Sequence, residues 1–216
     1  MKVGVLASGS GSNLQALIDN WKAGALAPGE LTVVGANVAG CLALGRATQA
    51  GIDTFVLSHK AFASREEFDH ALAAQLRSRG VELVVLAGFM RVLTAAFLDA
   101  FPMRVVNIHP ALLPAFPGTH AQKQALDYGV KLAGCTVHFV DAGTDTGPII
   151  AQAAVPVLPG DDEDTLRQRI LAEEHRLLPA VVRAVASGQV SVEGRRVHVQ
   201  PQPELPEARL RSMGTM

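Results

Sequence analysis

The sequence predicts an α/β fold: a doubly wound, mostly parallel sheet with a small C-terminal hairpin. Three observations carry this. Short β-branched runs alternate with helical patterns through the first half of the chain, the strands are apolar almost throughout, and a glycine-rich turn joins the first strand to the first helix. A length of 216 residues suits one domain with a full core, and a composition of 49% hydrophobic and 18% charged residues is that of an ordered protein.

The run 3–7 reads as the first strand, 12–22 as a helix and 31–36 as the second strand. A helix at 41–50, a short strand at 54–56 and a helix at 64–78 precede the most apolar strand, 83–87. The pattern at 94–101 predicts a helix with Thr94 as N-cap, followed by a strand at 105–108. After Pro110 a loop rich in Pro and Gly leads to a short helix at 121–128. Two longer strands, 134–140 and 149–157, flank the segment 141–148. The acidic run Asp161-Asp162-Glu163-Asp164 suits the N-terminus of a long helix, which Pro179 is expected to kink or interrupt. Residues 189–199 read as a hairpin turning at Glu193-Gly194. The expected organisation is one α/β domain over 1–188, a hairpin over 189–200 packed on it, and a disordered tail over 201–216.

Charge and cysteine content narrow the function classes. A formal net charge of −1 argues against extended nucleic-acid binding, and Arg195-Arg196, the only local basic cluster, reads as a solvated hairpin edge. Cys41 and Cys135 have no CxxC spacing and no secretory signal precedes them, so two reduced thiols in a cytoplasmic protein are expected. No apolar run reaches the ~18–20 residues of a membrane helix. The seven histidines form no HExxH or His/Cys grouping, so no metal site is expected. His138 reads as a core or supporting residue, and His120 sits in the Pro/Gly loop, where it could serve a lid.

Sites in open parallel sheets lie at the carboxyl ends of strands, which directs attention to 8–13, 88–93 and 107–110. Ser8-Gly9-Ser10-Gly11-Ser12-Asn13 offers free N–H groups and a helix dipole to an anion. Leu14 stands where a dinucleotide fingerprint needs its third glycine, and Ala36-Asn37 supplies no acidic residue for a ribose. A single phosphomonoester fits better than a dinucleotide; a plain strand-to-helix turn is the alternative.

Asn107 and His109 fall on one side of their strand, with Ile108 turned into packing. An amide and an imidazole side by side can polarise a carbonyl and stabilise an oxyanion, worth ~10²–10³ in rate. A carboxylate beside the imidazole would favour its charged form. Asp145, between Gly143 and Gly147, is the candidate, although it also suits a simple turn. In the last long helix the stripe Leu166, Ile170, Leu177, Val181 and Val185 places Glu174 on the core side. A buried carboxylate needs a partner. A structural arginine and a ligand amine are both open.

With these motifs in hand, the sequence resembles the phosphoribosylglycinamide formyltransferase family, the folate-dependent glycinamide ribonucleotide transformylases. The resemblance runs from Met1 to about Val199. It rests on Ser8-Gly-Ser-Gly-Ser-Asn-Leu-Gln15, Leu86-Ala-Gly-Phe-Met-Arg-Val-Leu93 and Asn107-Ile-His-Pro-Ala-Leu-Leu-Pro114. Cys135-Thr-Val-His-Phe-Val140, Asp145-Thr-Gly-Pro148 and Glu174-His175 complete it. It implies the formyltransferase type of α/β sheet, with 10-formyltetrahydrofolate as cosubstrate, no metal, and glycinamide ribonucleotide as acceptor.

The resemblance further implies that Asn107, His109 and Asp145 are catalytic and that Gly11, Ser12 and Asn13 hold the ribonucleotide phosphate. Leu171, Ala172, Glu173 and Glu174 would complete the ribonucleotide site, Glu174 meeting the glycine amine. Arg65, Met90, Arg91, Val92 and Leu93, with Asn107, Asp141, Ala142, Gly143, Thr144 and Asp145, would line the folate pocket. Apolar Leu171 and the turn around Asn37 depart from the family pattern. A monomer or homodimer is expected. A methionyl-tRNA formyltransferase would call for a larger basic C-terminal domain, and a formyltetrahydrofolate deformylase for an added N-terminal domain. A non-catalytic phosphosugar-binding module would not need His109, and a nicotinamide oxidoreductase is disfavoured by Leu14.

Overall fold

A computed structural model describes residues 1–200. Seven strands form one sheet: β1 (Lys2–Ala7), β2 (Glu30–Ala36), β3 (Asp53–Val56), β4 (Leu83–Leu86), β5 (Val105–His109), β6 (Leu132–Phe139) and β7 (Ile149–Pro156). Their order is β3-β2-β1-β4-β5-β6-β7. The first five run parallel, while β6 and β7 are antiparallel to their neighbours. The helices are α1 (Ser12–Lys22), α2 (Leu42–Gln49), α3 (Arg65–Arg77), α4 (Ala95–Leu98), α5 (Ala121–Tyr128) and α6 (Glu163–Ala186). A separate two-stranded hairpin, β8 (Val190–Glu193) with β9 (Arg196–Val199), follows α6. The tail expected over 201–216 lies outside the described residues.

Period-two alternation divides the core between the sheet's faces. Val3, Val5, Leu83 and Val85 join one cluster with Leu14 and Leu17 of α1 and Leu166, Ile170, Leu177 and Val181 of α6. Leu6, Val84 and Leu86 join the other with Phe68, Leu72 and Leu76 of α3 and Phe97 of α4. Apolar strands covered on both faces are what a parallel sheet requires. Strand order reverses between β1 and β4, so the loops after these two strands diverge and open a crevice at their carboxyl ends.

Several boundaries have visible causes. Ser64 caps α3 by accepting the Glu67 N–H, and Asp162 and Thr165 form a reciprocal capping box at the start of α6. The helix expected over 94–101 is a single turn. It tightens at once into the three-residue bonds Ala100 N–H to Phe97 and Phe101 N–H to Leu98, just before Pro102. Of the kink or interruption expected at Pro179, the interruption does not occur: α6 runs through it to Ala186. Leu177, Leu178, Pro179, Val181 and Val182 are all buried, and that packing offsets the ~3 kcal/mol an interior proline costs a helix.

Two glycines should respond oppositely to alanine. A Cβ at Gly134 in β6 would overlap the Ala153 carbonyl of β7, and backbone cannot yield as a side-chain tip can. Gly45 in α2 is exposed with nothing near its missing Cβ. Gly134→Ala should lower unfolding free energy by about 1–3 kcal/mol, and Gly45→Ala should raise it by about 0.5–1 kcal/mol, in urea titrations.

Candidate functional site

The glycine loop takes its shape from contacts on three sides. Gly11 has φ +69, and a Cβ there would lie 2.8 Å from Ala43 Cα, so neither the conformation nor the space admits another residue without strain. The Ala43 N–H bonds Gly9 O at 3.1 Å. Arg46, which sequence patterns did not single out, donates from Nε to Ser10 O at 2.9 Å and from Nη1 to Gln15 Oε1 at 3.0 Å. No side chain caps α1, leaving the amides of its first turn without intrahelical partners. A cleft of about 180 Å³ opens over residues 8–13, bounded by Ala87, Gly88 and Met90. Ser8 ties its two sides together: Oγ donates to Asn37 Oδ1 at 2.6 Å and accepts the Met90 N–H at 2.9 Å. Asn37 is thereby buried as a brace within the protein.

The packing of α1 against α6 brings Asn13 to Glu174. Glu174 is only 5% exposed, and its Oε2 accepts the Asn13 Nδ2 hydrogen at 2.7 Å. Among the described residues no arginine, lysine or histidine forms an ion pair with it, so the structural-arginine alternative falls away. Burial pushes the carboxyl up to about 6, against the lowering effect of the Asn13 bond. Asn13 Oδ1 is also buried and has no partner. Two adjacent acceptors short of donors suit an incoming amine. The rest of the 171–174 segment is arranged differently: Leu171 is half-buried, Ala172 exposed, and Glu173 paired with Arg176 at 3.2 Å.

At the end of β5, antiparallel pairing sets Asn107 opposite His138 and His109 opposite Thr136. Neighbouring Val106, Ile108, Val137 and Phe139 face the α6 side, leaving these four polar groups on the other face. His138 was read from sequence only as a core or supporting residue. Its Nδ1 lies 2.8 Å from Phe139 O, and a carbonyl can only accept, so Nδ1 carries a hydrogen. In the neutral ring Nε2 then accepts from Asn107 Nδ2, 3.2 Å away. His138 lies in the motif Cys135-Thr-Val-His-Phe-Val140, but its contact with Asn107 follows from the pairing register, which no motif shows.

His109 is 5% exposed and stands between two acceptors. Its Nδ1 is 3.3 Å from Asp145 Oδ2 and its Nε2 is 2.8 Å from Phe116 O. The doubly protonated ring satisfies both. Asp145 also accepts the Gly118 N–H at 2.8 Å, and its Oδ1 lies 3.7 Å from His138 Nε2, close but beyond hydrogen-bond distance. Burial opposes ionisation of Asp145, but His138, the Gly118 amide and the His109 charge outweigh it and hold the carboxyl below the usual range. Asp145 and Phe116 both have positive φ, +55 and +54, so the loops that meet His109 hold conformations uncommon for side-chain-bearing residues. Thr136 steadies the chain after β5, donating to Ala111 O at 2.7 Å and accepting the Leu113 N–H at 3.1 Å.

Beyond β4 the loop 88–93 exposes Met90 and Val92 while Leu93 is buried. Arg65 Nη2 donates to Val92 O at 2.7 Å, and the Arg91 guanidinium lies over the Phe68 ring at 5.3 Å. Asp69, buried on α3 and not singled out from sequence, accepts the Thr94 N–H at 2.6 Å and ends this loop. Across the crevice, Asp141 Oδ1 accepts from Gly143 N–H and Thr146 Oγ1, folding 141–146 into a compact turn with Ala142 and Thr144 exposed. Cys41 and Cys135 are free thiols, and burial pushes Cys135 far up, leaving it unreactive. No group of three or more metal-ligating side chains occurs among the described residues, and none of their helices is long and apolar enough to cross a membrane.

Comparison with known proteins places this arrangement. The formyl transferase family model matches residues 1–182. A phosphoribosylglycinamide formyltransferase of Mycobacterium tuberculosis is 50% identical over 191 residues, covering 88% of this chain and 87% of that protein. The trifunctional purine biosynthetic protein adenosine-3 of Drosophila melanogaster is 55% identical over 188 residues; these are 87% of this chain but only 14% of that longer protein. The crystal structure of glycinamide ribonucleotide transformylase 1 from Symbiobacterium toebii superposes with a TM-score of 0.91 at 55% identity, covering 92% of this chain and 93% of that one. The chain belongs to the formyl transferase family.

Proposed function

We propose that this chain transfers the formyl group of 10-formyltetrahydrofolate to the amine of glycinamide ribonucleotide, a step of purine biosynthesis. The observation that carries the reading is the contact of His109 with Asp145 beside Asn107 at the end of β5. The glycine loop and the Asn13–Glu174 pair support it, since together they offer an anion site and an amine site. The names of the similar proteins point the same way.

In this reading Gly11, Ser12 and Asn13 hold the phosphate through backbone amides and the α1 dipole. Glu174 and Asn13 Oδ1 receive the amine. Met90, Val92 and Leu93 offer apolar surface to the folate ring system, the turn 141–145 closes over it, and Arg65 and Arg91 supply positive charge for its acidic tail. The neutral amine attacks the formyl carbon, forming the new C–N bond. The carbonyl oxygen becomes an oxyanion, and the bond from carbon to the folate nitrogen breaks. The proton lost by the amine reaches the departing nitrogen through water ordered by Asp145.

The hydrogens for the oxyanion follow from the contacts. Asp145 holds His109 Nδ1, so Nε2–H is the bond that can be exchanged, from Phe116 O to the developing oxyanion. Asn107 spends one amide hydrogen on His138 and keeps the second for the same oxygen. Both interactions strengthen as negative charge grows, which is the condition for accelerating the reaction. Ionised Asp145 stabilises the charged imidazole throughout.

A spectroscopic assay of folate product, with and without glycinamide ribonucleotide, tests the function. Product formation only with the ribonucleotide is expected. Release without it would identify a hydrolase, and ribonucleotide binding with no turnover would identify a binding module. His109→Ala and Asp145→Ala should each lower kcat by about 10²–10⁴ while ribonucleotide affinity stays within about threefold. Near-normal turnover in both variants would sink the mechanism.

Glu174→Gln separates stability from binding. The folded carboxyl, pushed up to about 6 by burial, lies above the 4.5 of an ordinary glutamate. The unfolded state therefore loses its proton first as pH rises. The resulting destabilisation is absent below pH 4.5 and complete above about 6. Glutamine can still accept from Asn13 and carries no charge. The variant should be more stable than the parent by roughly 2 kcal/mol at pH 8, the advantage fading below pH 6, yet bind glycinamide ribonucleotide more weakly. Unchanged affinity, measured by calorimetry, would return Glu174 to a structural role.

A further inference from the structure

The C-terminal hairpin lies beyond the residues matched by the family model, 1–182, yet it touches the site. Val190, Val192, Val197 and Val199 pack against the α6-side core, and the alternate residues of β8 and β9 are exposed. The valine face thus seats the hairpin and fixes where its turn projects. At that turn Gly194 has φ +59, and the next residue, Arg195, donates from Nη2 to Thr146 O at 2.8 Å. Sequence reading treated Arg195 as part of a solvated edge.

Thr146 immediately follows Asp145. Its carbonyl belongs to the peptide leading into Gly147, which packs so closely on Phe139 O that a Cβ there would overlap it. The turn's other contacts come from its own residues, from the loop after β5 and from His109: Asp141 takes the Thr146 hydroxyl and Gly143 N–H, and Asp145 takes the Gly118 N–H and faces His109 Nδ1. Asp145 holds a left-handed conformation, φ +55, which aspartate tolerates in a turn at some cost, so restraint from its surroundings helps keep it. Arg195 supplies such a restraint on the peptide just after it, from a segment 49 residues away.

We propose that Arg195 is a positioning residue through which the hairpin braces the 141–147 turn and keeps the Asp145 carboxylate against His109. The kinetic consequence rests on the formyl-transfer reading; the brace itself does not. Arg195 is exposed, so water competes for the bond and the effect is modest.

The test uses the full chain with Arg195→Ala, Arg195→Lys and, as control, Arg196→Ala on the same turn. Amide hydrogen exchange over 143–147, melting temperature, and kcat and KM for both substrates are measured. In Arg195→Ala, exchange should quicken several-fold and kcat should fall about 3–10-fold. The ribonucleotide KM should stay within about twofold and Tm within about 1 °C. Lysine should recover much of the loss, and Arg196→Ala should match the parent. Unchanged exchange overturns the proposal whatever kcat does, and so does faster exchange at unchanged kcat. Equal effects from Arg196→Ala would also overturn it, since general charge or hairpin folding would then explain them. If the parent shows no formyl transfer, that reading fails, while the exchange measurement still decides the brace.

Discussion

Burying a carboxylate beside two imidazoles is tolerable only when every polar atom in the patch has a partner, and this constraint organises the carboxyl end of the sheet. Asp145 is held by the Gly118 amide and faces both His109 and His138. His138 is fixed by Phe139 O and in turn orients Asn107. Removing any one member leaves another buried group unpaired, which costs more than the lost bond. The antiparallel arrangement of β6 answers this need. It sets His138 directly across from Asn107, and the turn from β6 into β7 carries Asp145 back over β5. A further parallel strand would have sent the chain away through a crossover before the carboxylate could arrive.

The two halves of the crevice treat charge in opposite ways. Around Asp145, bonds and positive charge overcome burial and favour the anion. Around Glu174, burial prevails, because among the described residues one asparagine hydrogen is all it receives. The first arrangement has its partners within the protein: the Gly118 amide and the facing imidazole of His109. The second is incomplete. A protein that placed Glu174 in its core purely for packing would gain from glutamine, so retaining the acid makes sense where a donor arrives from outside.

Local pattern made much of this legible. Strand alternation placed Asn107 and His109 on one face, and the helical stripe through Leu166 and Ile170 placed Glu174 inward, because both arguments need only the period of one element. The glycine loop was legible for the same reason, its conformation and its free amides being local. Partners across elements were not. His138 meets Asn107 through strand register, Asn13 meets Glu174 through the packing of two helices 161 residues apart, and Asp145 reaches His109 across two strands. For Asp145 the spacing offered only a turn former; the family resemblance proposed the rest. Pro179 failed in the other direction: a local rule for helix breaking was overridden by the burial of its neighbours.

Phe116 connects the polar patch to the loop after β5. Its carbonyl occupies His109 Nε2, and the same segment donates the Gly118 amide to Asp145, so the loop after β5 is bonded to both members of the pair. The Phe116 bond satisfies an imidazole that would otherwise be buried with a free hydrogen, yet it uses the hydrogen an oxyanion would need. The Gly118 bond involves no atom that reacts in the proposed mechanism. Anchors at Ala111 and Leu113, both on Thr136, fix the loop's near end, so the segment that meets His109 and Asp145 starts from a held position.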